Sequence, residues 1–208
     1  MLFPAIRLLI FTKAPELGRV KTRMQPALHP EFSLQLHQQL IDCCLQQWHQ
    51  PLICPPELWV AGHIAAFESS LPQWQSLPRL CQRGRDLGER MANAVQYRLN
   101  HCDAVILVGT DCPFIDGNYL QAACTALASH QAVIGPASDG GYVLLGLKLY
   151  HRALFTDIDW GSPQVLTQTQ QALDTIGWSY QVLPTLADID RPEDLALLQS
   201  VNYPFSRA

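Results

Sequence analysis

Residues 103–109 read DAVILVG, the most continuous apolar run in the middle of the chain, and Asp111 stands two positions after it. An apolar run of this length is typical of a strand that is buried on both faces of a sheet. The next segment, residues 116–129, has the composition of a helix, with Asp116 at its N-cap position. A strand, a polar loop and a helix therefore follow one another, which is the repeating unit of α/β proteins.

The same unit extends in both directions along the chain. Strands are predicted over residues 5–11, 57–62, 79–83, 103–109, 131–137, 141–147 and 179–184. Helices are predicted over residues 31–48, 63–70, 88–100, 116–129 and 163–176. This alternation indicates a mostly parallel sheet covered by helices on both faces. We expect residues 1–208 to form a single α/β domain.

Composition excludes several classes of protein. The chain is 48% hydrophobic and 15% charged, with a net charge of −4, as in ordinary folded proteins. No apolar run reaches the roughly 18–20 residues of a membrane span, and the N-terminus lacks an A-x-A-like cleavage site, so we expect a cytoplasmic protein. Without C-x-x-C or H-E-x-x-H spacing, the cysteines favour reduced thiols over disulfides or a zinc site. A general basic face for nucleic acid is missing, and the oligomeric state is left open.

Positive charge is concentrated in one segment, FTKAPELGRVKTRMQP at residues 11–26. It contains Lys13, Lys21 and Arg23, together with Gly18, whose freedom to adopt a positive φ suits a tight turn. Lysine offers a point charge and arginine a planar fork to phosphate oxygens, so this loop is a candidate phosphate-binding site. The loop matches neither the P-loop nor the dinucleotide-binding fingerprint. A solvated basic loop is the alternative.

Acidic residues follow two of the predicted strands. Asp111 emerges from the core where water or a cation must compensate its charge, and we expect it to be poorly compensated without a cation. It is the principal candidate ligand for Mg²⁺ or Mn²⁺, since magnesium takes one or two carboxylates and completes its shell with phosphate oxygens and water. Asp188 and Asp190 are the candidate second ligands, with Asp190 favoured because only one of the two is expected to face the site. A loop hydrogen bond for Asp111 and a capped helix start after Asp190 are the alternatives.

Three further segments are candidates, and one of them, SDGGY, falls beside the predicted strand ends, where open α/β sheets bind ligands. The first, RGRDLGERM, opens a helix whose N–H groups suit a phosphate or a base edge. The second, SDGGY, places a carboxylate before two glycines and suits the binding of sugar hydroxyls. The third, DIDWGS, offers a tryptophan for stacking on a sugar or an acceptor. A plain helix start, a hairpin turn and an aromatic anchor are the respective alternatives. The candidate residues are Gly88, Arg90, Asp139, Gly140, Gly141 and Trp160.

Six ordered motifs together resemble one family: FTKAPELGRVKTRM, QRGRDLGERM, VGTDCP, GPASDGGYVLLGL, DIDWGS and DIDRPEDL. They are similar to the GT-A-type nucleotide-diphospho-sugar transferase-like proteins, which include glycosyltransferases linked to arsenosugar biosynthesis. The resemblance spans nearly the whole chain and implies a three-layer GT-A fold and a nucleotide-linked substrate. Broader kin include 2-phospholactate and molybdenum cofactor guanylyltransferases. Their central-strand metal-binding aspartate matches Asp111, and the late D-x-D of some members matches Asp188 and Asp190.

The resemblance implies a transferase that moves a glycosyl group from a nucleotide-activated sugar to a small acceptor, assisted by Mg²⁺ or Mn²⁺. Lys21, Asp111 and Asp139 are the expected catalytic residues. The G-G-x-G-x-R signature of nucleotidylyltransferases is absent from the first loop, which favours sugar transfer over the release of pyrophosphate. The sequence TDC departs from the strict D-x-D of many glycosyltransferases, which leaves metal dependence open. A nucleotidylyltransferase and a non-catalytic nucleotide-sugar binding protein are the alternatives.

Overall fold

The computed structural model describes residues 5–25, 27–48 and 54–205. This part of the chain forms one seven-stranded sheet with helices, as predicted. The strands are β1 (Ile6–Lys13), β2 (Pro56–Ala61), β3 (Arg79–Cys81), β4 (Ala104–Gly109), β5 (Ala132–Pro136), β6 (Tyr142–Leu147) and β7 (Tyr180–Val182). The α-helices are α1 (Pro30–Trp48), α2 (Ile64–Ser70), α3 (Leu87–Leu99), α4 (Gly117–Ser129) and α5 (Val165–Thr175). The two edge strands, β3 and β7, are shorter than the predicted segments.

The strand order is β3-β2-β1-β4-β6-β5-β7. Strand β1 lies between β2 and β4 and is parallel to both, whereas β6 runs antiparallel to its neighbours β4 and β5. The predicted mostly parallel sheet is therefore confirmed. Because β6 is reversed, its first residue, Tyr142, lies at the edge where β4 ends at Gly109. The turn between β5 and β6 thus shares an edge with the loops after β1 and β4.

The apolar run of β4 is explained by burial on both faces of the sheet. Ile106 and Val108 pack in the cluster that includes residues of α1 and α4, and Val105 and Leu107 pack in the cluster with α3 and α5. All four side chains are at most 4% exposed. Alternating side chains of one strand therefore serve two separate cores, which is the arrangement of a three-layer α/β/α fold.

The cysteines and the lengths of the helices test two expectations drawn from composition. All seven cysteines lie within these ranges and are free thiols, as predicted. No helix in these ranges is both long enough and apolar enough to cross a bilayer.

A buried ion pair fastens α3 to β2. Glu57 is 3% exposed, and its two carboxylate oxygens each lie 2.6 Å from a guanidinium nitrogen of Arg98. Trp59 Nε1 donates a further hydrogen bond to Glu57 over 3.0 Å. Because the paired arginine satisfies both oxygens, the carboxylate is tolerated in the core. The pair lies at the last turn of α3, whereas the first turn of this helix forms part of the site described below.

Arg98→Met should lower the free energy of unfolding by about 3 kcal/mol, because Glu57 then stays buried without its cationic partner. Adding Glu57→Gln should recover part of this loss, since no buried charge is then unpaired. Urea denaturation followed by circular dichroism measures both effects, with Arg152→Met at an exposed position as the control. If Arg98→Met were as stable as the control, the pair would contribute nothing to the fold.

Candidate functional site

A cleft of about 690 Å³ opens at the sheet edge where β1 and β4 end. Its walls come from these two strand ends, the loop over residues 20–23, the start of α3, the turn at 160–161, and the segment around residues 188–190. Its volume is in the range of small-molecule sites. The cleft thus lies beyond the carboxyl ends of parallel strands, where open α/β sheets bind ligands.

Lys21 and Asp111 form the central contact of this cleft. Lys21 Nζ lies 2.7 Å from Asp111 Oδ1, and the lysine side chain is 2% exposed while the aspartate side chain is 49% exposed. Lys21 has a φ of 49° and a ψ of 38°, a left-handed conformation that is uncommon outside glycine. It stands at the N-cap of a short 3-10 helix over Thr22–Met24. Lys21 is therefore an internal cation, and the alternative of a solvated basic residue is wrong for it.

The ion pair changes the interpretation of Asp111. Burial opposes its ionisation, but the charge and the hydrogen bond of Lys21, together with other basic groups nearby, outweigh this cost and hold the pKa of Asp111 below its ordinary value. The expectation that Asp111 is poorly compensated without a cation is wrong, because the protein supplies a counter-charge of its own. The carboxylate nevertheless keeps about half of its surface open to the cleft.

Ile189 connects this ion pair to the acidic segment 188–190. Its N–H donates a hydrogen bond to the carbonyl of Asp111 over 2.8 Å, and its own carbonyl accepts a hydrogen bond from Lys21 Nζ. The isoleucine side chain is fully buried in a small apolar cluster with Met24. Three segments that are far apart in the sequence are therefore tied together by one lysine and one backbone unit.

Asp188 and Asp190 both line the cleft, while Ile189 between them is buried. The expectation that only one of them faces the site is wrong, because alternate residues of an extended chain share a side. Arg23 Nη1 lies 2.7 Å from Asp190 Oδ2, with 52% and 25% of these side chains exposed. This pair is more solvated than the pair made by Lys21, so water screens it more strongly.

Asp188 makes no ion pair with any residue in the described ranges. Burial and the negative charges of Asp139, Asp111 and Asp190 raise the pKa of Asp188 to about 6. Negative charge is therefore in excess at this corner of the cleft, and an added cation would be favourable there.

The lining of the cleft balances the two signs of charge. Its lysine, arginine and aspartate side chains number four basic and four acidic: Lys13, Lys21, Arg23, Arg90, Asp86, Asp111, Asp188 and Asp190. The basic loop alone predicts a site for an anion without a bound cation, but the folded cleft presents both positively and negatively charged side chains. Such a lining suits a ligand that brings both signs too, such as a phosphate with its bound cation.

No group of three or more His, Cys, Asp or Glu side chains within residues 5–25, 27–48 and 54–205 is arranged to hold a metal ion. This finding argues against a dedicated cage of protein ligands. Magnesium does not need one, since it is usually held by one or two carboxylates together with substrate phosphates and water. One or two of these carboxylates, Asp111 with Asp188 or Asp190, offer the hard oxygens that Mg²⁺ or Mn²⁺ shared with a phosphate would need.

The turn between β5 and β6 contains Asp139, Gly140 and Gly141. Asp139 Oδ1 accepts a hydrogen bond from the N–H of Gly141 over 2.9 Å. Gly140 has a φ of 91°, and a Cβ at this position would lie 2.3 Å from the carbonyl oxygen of Pro163, so only glycine fits. The alternative of a hairpin turn is thus confirmed. Asp139 and Gly141 also line a smaller pocket of about 210 Å³, which shares several lining residues with the cleft.

Trp160 lines both the cleft and the smaller pocket. Its ring meets that of Tyr142 edge to face, with centroids 6.4 Å apart and planes at 89°. Gly88 packs behind it, since a Cβ on Gly88 would lie 2.3 Å from Trp160 Nε1 and 2.7 Å from the carbonyl oxygen of Phe155. Trp160 is therefore both anchored to the core and available to the pocket, and Gly88 makes this close packing possible.

Lys13, Arg90 and Gly18 are the remaining candidates. Lys13 and Arg90 line the cleft, and Arg90 Nε donates a hydrogen bond to the carbonyl of Gly84 over 3.2 Å. The helix α3 is capped by Asp86, so the alternative of an ordinary helix start holds as well. Gly18 has the predicted positive φ, 72°, but it is not part of the cleft lining. The position of Gly18 outside the cleft lining therefore does not support the predicted contact with phosphate.

Several residues of the cleft were not predicted from the sequence. Thr12 and Thr110 lie at the ends of β1 and β4 and are joined by a 3.1 Å hydrogen bond between their hydroxyl groups. The strand-end rule, applied to every polar residue, would have included both. His37 Nε2 lies 3.0 Å from the carbonyl oxygen of Lys13, and burial lowers the pKa of His37, so the ring is neutral at pH 7. No sequence signal separates His37 from an ordinary buried helix residue.

The sequence and the fold of this chain are similar to those of known proteins. The family model described as "Uncharacterized protein conserved in bacteria (DUF2064)" matches residues 44–162. No curated protein matches the sequence. Among solved structures, a candidate nucleotide-diphospho-sugar transferase from Desulfovibrio desulfuricans G20 is 29% identical. The alignment has a TM-score of 0.87 and covers 97% of this chain and 89% of that one, so the expected fold is confirmed.

Two more distant structures share the fold. CMP:2-keto-3-deoxy-manno-octonic acid synthetase, complexed with CTP, is 10% identical with a TM-score of 0.59, over 94% of this chain and 97% of that one. Rv0371C from Mycobacterium tuberculosis H37Rv, in complex with manganese, is 13% identical with a TM-score of 0.59, over 95% of this chain and 100% of that one. At these identities the similarity shows the fold alone.

Gly88→Ala should lower the free energy of unfolding by about 1–3 kcal/mol, because the added methyl group must push Trp160 or the backbone at Phe155 out of place. Gly109→Ala is the matched control, since a Cβ there would meet no protein atom within 4 Å. Chemical denaturation measures the difference, and tryptophan fluorescence reports any movement of the ring. Equal stability of the two variants would contradict the close packing of Gly88.

Asp188→Asn should stabilise the metal-free protein at pH 7 by about 1 kcal/mol, because a carboxylate whose pKa is raised on folding opposes the folded state once it ionises. Between about pH 4 and pH 6 the folded protein holds the Asp188 proton and the unfolded chain has lost it, so stability falls as the pH rises through this window.

Urea denaturation with a chelator present, at several pH values from 3 to 8, tests this prediction. The advantage of Asp188→Asn should vanish near pH 3, where the carboxyl is protonated in both states. Glu193→Gln, which removes an exposed carboxylate nearby, is the control. An advantage that is independent of pH would rule out the electrostatic explanation.

Proposed function

The chain belongs to the family described as "Uncharacterized protein conserved in bacteria (DUF2064)", and we propose that it is a glycosyltransferase. It takes a nucleotide-activated sugar and moves the glycosyl group to a small acceptor, with Mg²⁺ or Mn²⁺ assistance. We further propose that residues 1–208 act as a single nucleotide-sugar transferase domain. The similarity to the candidate nucleotide-diphospho-sugar transferase, over nearly the full length of both chains, supports the substrate class.

The observation that carries this proposal is the balance of charge in the cleft. Four basic and four acidic side chains surround a space of about 690 Å³ at the ends of β1 and β4. A nucleoside diphosphate with a divalent cation carries both signs and is of suitable size for such a space. A bare phosphate site would instead have an excess of basic groups.

The chain's own residues would take the following roles. Lys13 is exposed at the end of β1, and Arg23 keeps half of its side chain exposed, so both can reach phosphate oxygens. Asp111, with Asp188 or Asp190, would hold the cation. When bound, the cation would supply positive charge that stabilises the departing diphosphate. The manganese complex of Rv0371C, a protein with this fold, is compatible with such a site.

Glycosyl transfer also requires a group that accepts a proton. The bond between the sugar C1 and the diphosphate oxygen breaks, and its electron pair leaves with the diphosphate. A bond from C1 to the acceptor oxygen forms, and the proton of that oxygen must go to a base. Asp139 is exposed at the rim of the smaller pocket, with one carboxylate oxygen engaged by the N–H of Gly141. We assign it this role as general base, and Trp160 the role of contacting the sugar or acceptor ring.

Nucleotidylyl transfer is the second candidate. The shared fold of CMP:2-keto-3-deoxy-manno-octonic acid synthetase, which was solved with CTP, favours it. The absence of a G-G-x-G-x-R pattern from the loop after β1 disfavours it. A protein that binds nucleotide sugars without turnover is compatible with the same cleft, because a fold does not determine an activity.

A thermal-shift panel followed by product analysis separates these functions. UDP-, GDP-, ADP- and dTDP-sugars are screened with Mg²⁺ or Mn²⁺, since a ligand at 100 times its Kd stabilises by about 2.7 kcal/mol. The stabilising sugar nucleotide should then yield a nucleoside diphosphate on addition of acceptors. Pyrophosphate formed from a nucleoside triphosphate, well above a protein-free blank, would instead support nucleotidylyl transfer. Stabilisation without either product would support a binding protein.

Asp111→Asn should lower turnover by about a hundredfold or more, because the neutral amide cannot hold a cation beside the diphosphate and each 1.36 kcal/mol is tenfold in rate. Stability should fall by about 3 kcal/mol, since the buried ammonium group of Lys21 loses its charged partner. Asp103→Asn, at the opposite end of β4, is the matched control, and it keeps an acceptor for the N–H of Ala5. Wild-type turnover in Asp111→Asn would remove Asp111 from the site.

A further inference from the structure

The surroundings of Lys21 differ from those of a phosphate-binding lysine, whose ammonium group is open to the ligand. Its side chain is 2% exposed, its ammonium group contacts the Asp111 carboxylate, and it donates a hydrogen bond to the carbonyl of Ile189. Both contacts are made to the two segments that carry the candidate metal ligands. The contacts therefore direct its charge to the carboxylates, away from the open part of the cleft.

We infer that Lys21 is a positioning residue that neutralises Asp111 in place of the divalent cation until the nucleotide arrives. The inference rests on the proposed function, because it concerns the same cation. Beyond that function, Lys21 acts on the Asp111 carboxylate and not on phosphate, and tight binding of the cation requires the nucleotide. The protein alone binds the cation weakly, and the nucleotide diphosphate makes the cation site complete.

Electrostatics gives the reason for this condition. An ammonium group 2.7 Å from Asp111 Oδ1 occupies the space in which a cation would approach that oxygen. A monovalent and a divalent cation a few ångströms apart repel each other, and the repulsion is strong where water is scarce. A diphosphate beside them adds negative charge, which compensates both cations. The cation and the nucleotide should therefore bind cooperatively.

The second ion pair of the cleft provides an internal comparison. Arg23 is paired with Asp190 over the same 2.7 Å, but its side chain is 52% exposed. Its charge is screened by water, and its long side chain can turn away from an incoming cation. Lys21 has little space to do so, because its side chain is buried and its backbone is held in the left-handed conformation. Loss of the lysine charge should therefore affect cation binding more than loss of the arginine charge.

The test measures binding of Mn²⁺ alone, by the loss of the electron paramagnetic resonance signal of the free ion. Lys21→Met should bind Mn²⁺ about tenfold more tightly than the wild type in the absence of nucleotide, because the competing charge is gone. Lys21→Arg, which keeps the charge, should resemble the wild type. Arg23→Met, the matched loss of one positive charge in the same cleft, should change the affinity by less than about threefold.

Unchanged or weaker Mn²⁺ binding in Lys21→Met would overturn the inference, since a purely structural lysine predicts this result. Lys21→Gln, which keeps a hydrogen-bond donor for Ile189, serves if Lys21→Met does not fold, and it should show the same tightening. The wild-type protein provides an independent measurement. With UDP or GDP present, the protein should remove more free Mn²⁺ than the protein alone and the nucleotide alone remove in sum. A merely additive loss, with a nucleotide that a thermal shift shows to be bound, would also overturn the inference.

These results are distinguishable from failure of the proposed function. Tighter binding of Mn²⁺ to Lys21→Met, with no turnover of any sugar nucleotide, would support the role of Lys21 and reject the glycosyltransferase. Metal-dependent turnover by the wild type, with no change of Mn²⁺ affinity in Lys21→Met, would support the enzyme and reject the role of Lys21.

Discussion

The cleft depends on one contact of a buried side chain, the ion pair between Lys21 and the half-exposed Asp111. A lysine with 2% of its side chain exposed would be costly without a partner, and the carboxylate at the end of β4 supplies it. The same ammonium group holds the carbonyl of Ile189, whose N–H is bonded to the backbone of Asp111. The loop after β1, the end of β4 and the segment 188–190 are thus held together by a few polar contacts. Each of these three segments therefore contacts the other two.

The reversed strand β6 explains why a fourth segment joins them. In a fully parallel sheet, the turn leading into a strand lies at the edge opposite to the ligand. Because β6 is antiparallel to β4, the turn at Asp139 and the first residue, Tyr142, lie at the carboxyl edge instead. Tyr142 then meets Trp160, whose position depends on the absence of a side chain at Gly88. The smaller pocket is therefore a consequence of strand direction and of one glycine.

The sequence predicts most of the fold and the location of the cleft, but not its contacts. The apolar run before Asp111 predicts a buried central strand, and the strand-end rule brings Lys21, Asp111 and Asp190 to one edge. The pairing of Lys21 with Asp111 could not be predicted, because the two residues are 90 positions apart and local pattern carries no information about partners. His37 was missed for a different reason. It occupies a core position of a helix, where its spacing resembles that of any buried residue.

The clustering of basic residues after β1 has a different meaning in the fold than in the sequence. In the linear chain these residues suggest a site that attracts anions. In the folded protein, Lys21 and Arg23 serve as counter-ions of Asp111 and Asp190, and Asp188 still has its pKa raised to about 6, in part by negative neighbours. The folded protein thus tolerates an electrostatic cost at Asp188 that a bound cation would relieve. This excess of negative charge at one corner, beside basic groups at the other, supports recognition of a phosphate together with its cation over recognition of either one alone.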